Sequence, residues 1–143
     1  MSVDEIHQYV KNFAQGAAIA KAAGVEIHAV HEGYLLDQFT IYGFNNRTDE
    51  YGGSLEIRLC FPIEIVKAIK GKCGKEYPVS LRYSVKSYVK DFNRGALPGE
   101  VFEELGRDLE ESRRAAKILR KRDTICSTAI TAHMTPGIGL IRR

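Results

Sequence analysis

VEIHAVHEGYLLDQFTIYGFNNRTDEYGGS, Val25–Ser54, is the stretch whose reading decides the fold. It opens with Val25–Val30, apolar except for Glu26 and His28, which has the length and composition of a buried strand. It then releases His28, His31 and Tyr34 towards a polar segment that closes on Gly52-Gly53. From Leu35 to Tyr51 no period is sustained, so the spacing predicts a long loop with one helical turn at Leu35–Phe39. Loops of that length in compact domains are usually functional.

Upstream, Ser2-Val3-Asp4-Glu5 has the form of a capping box, in which serine and glutamate each satisfy a free amide. Ile6, Val10, Phe13, Ala17 and Ala20 then mark one helical face, and Gly24 ends the helix where a left-handed residue is wanted. A helix feeding a buried strand through one glycine is a parallel α/β signature. Downstream, Ser54 is placed to cap a second helix that buries Leu55, Leu59, Ile63, Val66 and Ile69, with Pro62 kinking or dividing it. Pro78–Ser84 reads as a second strand, followed by a loop to Pro98-Gly99 and a third helix over Glu100–Lys121. That helix is expected to bury Val101, Leu105, Leu109 and Ala116. The order α-β-α-β-α, with long loops at the C-terminal ends of strands, predicts a (β/α) barrel or a doubly wound sheet. Either architecture places its chemistry where the strands end.

At 143 residues the chain is long enough to bury the core of one domain. Its 21 basic and 18 acidic residues leave a net charge of +3, too balanced to point to nucleic acid. The basic run Arg113–Arg122 reads as a solvated helix face. Cys60, Cys73 and Cys126 are odd in number and widely spaced, which suits reduced thiols and a cytoplasmic setting. No apolar run reaches the ~20 residues of a membrane span, and no secretion signal is visible at the start. Neither GxGxxG nor GxxxxGK occurs, so no familiar loop is present to cradle a nucleotide phosphate.

Two places in the chain carry candidate chemistry. His28, His31 and Tyr34 follow one another at spacings of three at a strand mouth. Each alone reads more readily as packing; together they suggest a site. Two imidazoles could bind zinc, but no third ligand has a suitable spacing, so no metal is assigned. Arg82 stands in the middle of the second strand, where a guanidinium needs an anionic or carbonyl-rich partner. That partner is either Glu26, in an internal ion pair, or the electron-rich edge of a ligand.

VEIHAVHEGYLLDQF, NNRTDEYGGSLEIR and PVSLRYS together resemble the old yellow enzyme family of FMN-dependent oxidoreductases. The nearest branch is that of the enoate and 2,4-dienoyl-CoA reductases, including the bile-acid-type flavin reductases. The resemblance spans nearly all of residues 3–121, and Arg47–Ser54 is its most specific motif. It implies a TIM barrel with FMN at its C-terminal mouth, NADH or NADPH as reductant, and reduction of an activated C=C bond. The substrate it implies is a small unsaturated molecule: an enoate, enoyl-CoA or steroid-type enone. By the resemblance, His28 binds the flavin edge or the substrate carbonyl, His31 is a second substrate-binding candidate, and the division of work between the two is left open. Tyr34 gives a proton to the α-carbon, and Arg82 lies near flavin N1 and O2. The histidine-to-tyrosine spacing is one residue longer than the commoner family form, and Ile57 and Cys60 replace a usual asparagine and arginine.

A whole TIM barrel needs about 250 residues. The resemblance therefore implies a fragment: the fourth and fifth βα units over residues 1–121, about two strands and three helices in a barrel that does not close. An iron–sulfur cluster or FAD is expected only in a full-length protein. Residues 122–143 show no clear period and are expected to be out of the family frame. Codons for Lys121–Arg143, read from the last base of Lys121, can spell a family-like AGYDMLHCDNGTYDSWYWAHPP. Two alternatives stand beside the enzyme: a partial barrel that does not hold FMN and, remotely, a histidine-based metal hydrolase. No nucleic-acid or membrane partner is expected, and the oligomeric state is left open.

Overall fold

The computed structural model describes residues 1–25, 27–29, 35–91, 94–121 and 130–134; for 27–29, 82–84, 121 and 130–134 the description is of the backbone. The elements run α1 (Val3–Ala22), β1 (Ile27–Ala29), α2 (Leu35–Thr40), α3 (Leu55–Arg58) and α4 (Cys60–Cys73). After these come β2 (Val79–Lys86), β3 (Val89–Asp91), β4 (Arg94–Gly95), α5 (Leu109–Lys121) and β5 (Ile130–Met134).

The start of α1 forms both halves of its capping box. The Glu5 amide donates to Ser2 Oγ at 3.2 Å, and the Ser2 nitrogen donates to Glu5 Oε2 at 2.6 Å. Gly24, at φ 77°, takes the left-handed turn that ends the helix. Ile6, Ala14 and Ala17 form the buried stripe of α1, and the small alanines let it lie close along α4. Lys21 Nζ fastens the two helix ends by donating to the Cys73 carbonyl at 2.5 Å.

Pro62 divides the second predicted helix. It has no N–H to offer the Arg58 carbonyl four residues earlier, and the chain breaks at Leu59 into α3 and α4. Leu55, Leu59, Ile63, Val66 and Ile69 are all buried, and Gly74 ends α4 at φ 98°.

The main sheet is parallel, in the order β1-β2-β5. Val79 and Leu81 of β2 join a core with Phe61, Ile65, Val66 and Ile69 of α4 and Ala115 and Leu119 of α5. The helices thus cover one face of the strands, as in a βα barrel wall.

Two expectations need correction. The third helix begins at Leu109, not Glu100, and its buried residues are Ser112, Ala115 and Leu119. Val101 is 99% exposed and Leu109 48% exposed. The reason is that two carboxylates of this stretch, Glu100 and Glu104, serve loop amides. Glu100 accepts from the Leu97 N–H at 2.8 Å, and Glu104 accepts from Tyr88, Val89 and Gly106. Carboxylates bonded to local backbone stabilise a loop in competition with helix. The second correction is the strand count. The described residues hold five strands rather than two, including the antiparallel pair β3-β4. β5 falls in the segment expected to lack a period: the open edge of β2 offers unpaired backbone groups, and Ile130-Thr131 supplies a β-branched run to meet them.

Candidate functional site

The register brings two of the predicted positions together. His28 pairs with Ser80 across β1 and β2, and Arg82 follows two residues along β2, paired with Thr131 of β5. The pleat repeats every two residues. Positions 28, 80 and 82 therefore alternate with the buried Val79 and Leu81 and belong to the sheet face opposite α4 and α5. His31 and Tyr34 lie outside the described residues, as does Glu26, the alternative partner for Arg82. In sequence, Tyr34 immediately precedes α2, whose Leu36, Asp37, Phe39 and Thr40 are buried.

The loop that follows α2 is a closed network of polar groups. Asn45 Nδ2 donates to the carbonyls of Phe39 and Tyr51, at 2.6 and 2.7 Å, and Asn45 Oδ1 accepts from the Arg47 amide at 3.0 Å. Arg47 and Asp49 form a two-point ion pair, Nε to Oδ1 at 3.0 Å and Nη2 to Oδ2. Asp49 Oδ1 also accepts the Tyr51 amide at 3.1 Å. The Arg47 hydrogen bond holds the Asp49 carboxyl below its ordinary range. The Arg47 guanidinium lies 5.3 Å from the Phe39 ring centroid. A Cβ at Gly52 would overlap the Arg47 carbonyl, so the chain passes close enough there to require glycine. Tyr51 is 1% exposed and donates to Glu64 Oε2 at 2.9 Å; burial first, and then Glu64, push its phenol well above the ordinary value. In this chain, the most specific motif of the sequence fastens the loop's shape.

Behind it lies a buried ionic cluster. Arg58 donates from Nε to the Gly53 carbonyl at 3.1 Å, from Nη1 to the Thr40 carbonyl, and to Glu111 of α5 at 2.9 and 3.2 Å. Arg107 donates to Thr40 Oγ1 at 2.9 Å and stands 4.0 Å from the same glutamate. The cluster ties the end of α2 to α3 and α5. Arg58, Arg107 and Glu111 were not singled out by sequence reasoning, because nothing in their spacing marks them as mutual partners.

The C-terminal end of β2 also escaped it. Between Ser84 and Lys86 the pairing with β5 slips, leaving Val85 as the extra residue of a bulge. Its carbonyl accepts from Ser112 Oγ of α5 at 2.5 Å. Ser87 and Arg107 exchange two bonds, the Ser87 amide to the Arg107 carbonyl at 3.2 Å and the Arg107 amide to Ser87 Oγ at 3.3 Å. Tyr88 has φ +56° and gives its amide to Glu104 at 2.9 Å; the Val89 and Gly106 amides reach the same carboxylate at 2.8 and 3.0 Å. A positive φ in an aromatic residue leaves no sequence signal.

Comparison with known proteins identifies the family and the fold. The model of the NADH:flavin oxidoreductase / NADH oxidase family matches residues 1–126. Over 122 residues the chain is 62% identical to a cinnamate reductase of Clostridium sporogenes, covering 83% of this chain and 18% of that protein. It is 37% identical over 124 residues to an NADH oxidase of Thermoanaerobacter brockii, covering 85% and 17%. Among solved structures, a 2-naphthoyl-CoA reductase with its ligand superposes with a TM-score of 0.72 at 28% identity, covering 96% of this chain and 19% of that one. An old yellow enzyme homologue from Zymomonas mobilis gives 0.65 at 29% identity, covering 86% and 32%. The solved neighbours are TIM-barrel old yellow enzymes, and β1-β2-β5 with its helices forms an unclosed part of such a wall. The chain spans less than a fifth of the length of these two curated relatives. The chain belongs to the NADH:flavin oxidoreductase / NADH oxidase family.

Proposed function

We propose that these residues serve an FMN-dependent ene-reductase, in which they form one arc of the barrel mouth and hold part of the flavin and the substrate. The observation that carries the reading is the register of β1 on β2. It sets an imidazole position, 28, and a guanidinium position, 82, on neighbouring strands, on the face away from the helical core. That donor set fits a flavin, whose reduced form is anionic at N1 and O2. Arg82 would hold that edge, with His28 beside it. FMN, when bound, supplies a hydride equivalent drawn from NADH or NADPH.

The chain's own residues do the rest. His28 and His31 donate hydrogen bonds to the substrate carbonyl, where negative charge builds as the β-carbon is reduced. Tyr34 delivers the proton to the α-carbon, giving the saturated product; a phenol is a competent donor to a developing carbanion. The substrate is a small enoate, enoyl-CoA or enone. Cinnamate, named in the Clostridium relative, is one such compound and serves as the test substrate. An iron–sulfur cluster or FAD belongs to the reading only for a longer protein.

A second reading is favoured by the open sheet. Among the described residues β1 and β5 each pair along one side only, so this stretch by itself encloses no flavin pocket. Mixing the purified chain with FMN and removing the excess separates the two. Yellow protein that consumes NADH with cinnamate supports the enzyme, and Tyr34→Phe should then slow substrate reduction without releasing flavin. Colourless protein assigns the chain to a partial barrel that does not hold FMN.

A further inference from the structure

Lys86 is the last residue of β2, four positions beyond Arg82 and at the end of the strand where barrel chemistry occurs. Its Nζ sits 4.6 Å from the Tyr88 ring centroid, and the Tyr88 ring is 6.5 Å from that of Phe102. Tyr88 is the one non-glycine residue with positive φ among those described. A bulky side chain rarely adopts that conformation, and it persists only where its surroundings over-determine it.

Here they do. Ser112 holds the bulge at Val85, Ser87 and Arg107 exchange bonds, and Glu104 takes the amides of Tyr88 and Val89. All of these fasteners come from residues 104–112. The neighbouring charges are committed elsewhere: Glu104 to three amides, and Glu100 to Lys90 at 2.5 Å and the Leu97 amide. Among the described residues no carboxylate forms an ion pair with Lys86.

We propose that Lys86, held against Tyr88, is a specificity-determining residue that binds the carboxylate of an unsaturated acid, with the Tyr88 ring flanking the planar substrate. This deepens the ene-reductase reading by selecting the free acid over neutral enones. An ammonium set on an aromatic face, at a preformed corner, loses little freedom when it pairs with an anion.

The test needs no flavin. Isotope-labelled chain is titrated with cinnamate and, separately, with neutral cinnamamide, and amide shifts are followed by two-dimensional NMR. The expected result is that cinnamate shifts the Lys86–Tyr88 amides and binds about tenfold more tightly than the amide, the discrimination expected of one charge-assisted contact. Lys86→Met should remove the preference and Lys86→Arg should keep it, while the dispersion of each spectrum reports folding. Equal binding of acid and amide, an unchanged preference in Lys86→Met, or no shift at this corner overturns the proposal. Because FMN is absent throughout, loss of flavin binding fails the enzyme reading alone, and loss of the acid preference fails this one alone.

Discussion

The Tyr51 phenol is enclosed by Phe39, Phe61 and His7 and donates to Glu64. Its folded pKa is raised above the ordinary value of ~10. The neutral phenol is thus favoured in the folded state, so its contribution to stability is full below pH ~10 and is lost as pH rises beyond it, where the unfolded chain ionises first. Tyr51→Phe should lower stability at neutral pH by about 1 kcal/mol, for one lost hydrogen bond. It should also flatten the alkaline decline, which urea midpoints on either side of pH ~10 would measure. Asp49 works in the opposite direction. Arg47 depresses its pKa, so its contribution is present above the ordinary carboxylate value and is lost as pH falls through the depressed one. Asp49→Asn should shallow the acid limb of the same profile. At this cluster, Arg58→Met removes the bonds to the Gly53 and Thr40 carbonyls and the two-point pair with Glu111, which is 23% exposed and keeps Arg107 at 4.0 Å, so it should destabilise by about 1.5–3 kcal/mol. Chemical denaturation measures it.

Among the elements, two glycines should respond oppositely to alanine. Gly71 lies within α4 with nothing near its missing Cβ, so Gly71→Ala should stabilise by about 0.5–1 kcal/mol. Gly52→Ala drives a methyl into the Arg47 carbonyl and should destabilise by more than about 2 kcal/mol, with loss of order in the 45–53 loop. A thermal melt of both variants beside the parent decides it. This contrast also shows what was legible. Spacing marked the faces of α1 and α4, Pro62 marked the division, and Gly24 and Gly74 marked the ends, because each acts through its own backbone or a single helical face. The loop over 100–108 was misread as helix because Val101, Leu105 and Leu109 mimic helical spacing. Nothing local reveals that Glu100 and Glu104 are taken up by loop amides. Arg47–Ser54 was recognisable as a signature, yet its local work became visible only from the bonds among Asn45, Arg47, Asp49 and Tyr51.

For the molecule as a whole, a three-stranded parallel sheet with unpaired edges among its described residues is prone to pair with another chain. Leu97 and Val101, 71% and 99% exposed, add apolar surface beyond the β3-β4 hairpin. Sedimentation of the purified chain should show association that grows with concentration; a single monomeric boundary at every concentration would count against it. The positions of His28 and Arg82 on adjacent strands were readable because strand period and strand order are properties of the pattern. The three-strand order with β5 was not, since its pairing depends on the edge that β2 leaves open. Nucleotide sequencing through codons 121–143 tests the shifted-frame expectation, which an intact frame incompatible with the family-like string would end.

The bond from Ser112 to the Val85 carbonyl also bears on time. The bulge it holds is separated from it by 27 positions of chain, so the end of β2 can take its final shape only after α5 has docked. We expect the docking of α5, and with it this bond, to follow the folding barrier. Ser112→Ala should therefore leave the folding rate nearly unchanged while hastening unfolding, the kinetic pattern of a contact absent from the transition state. The strand would be laid down early, and its bulged end would be the last part to set.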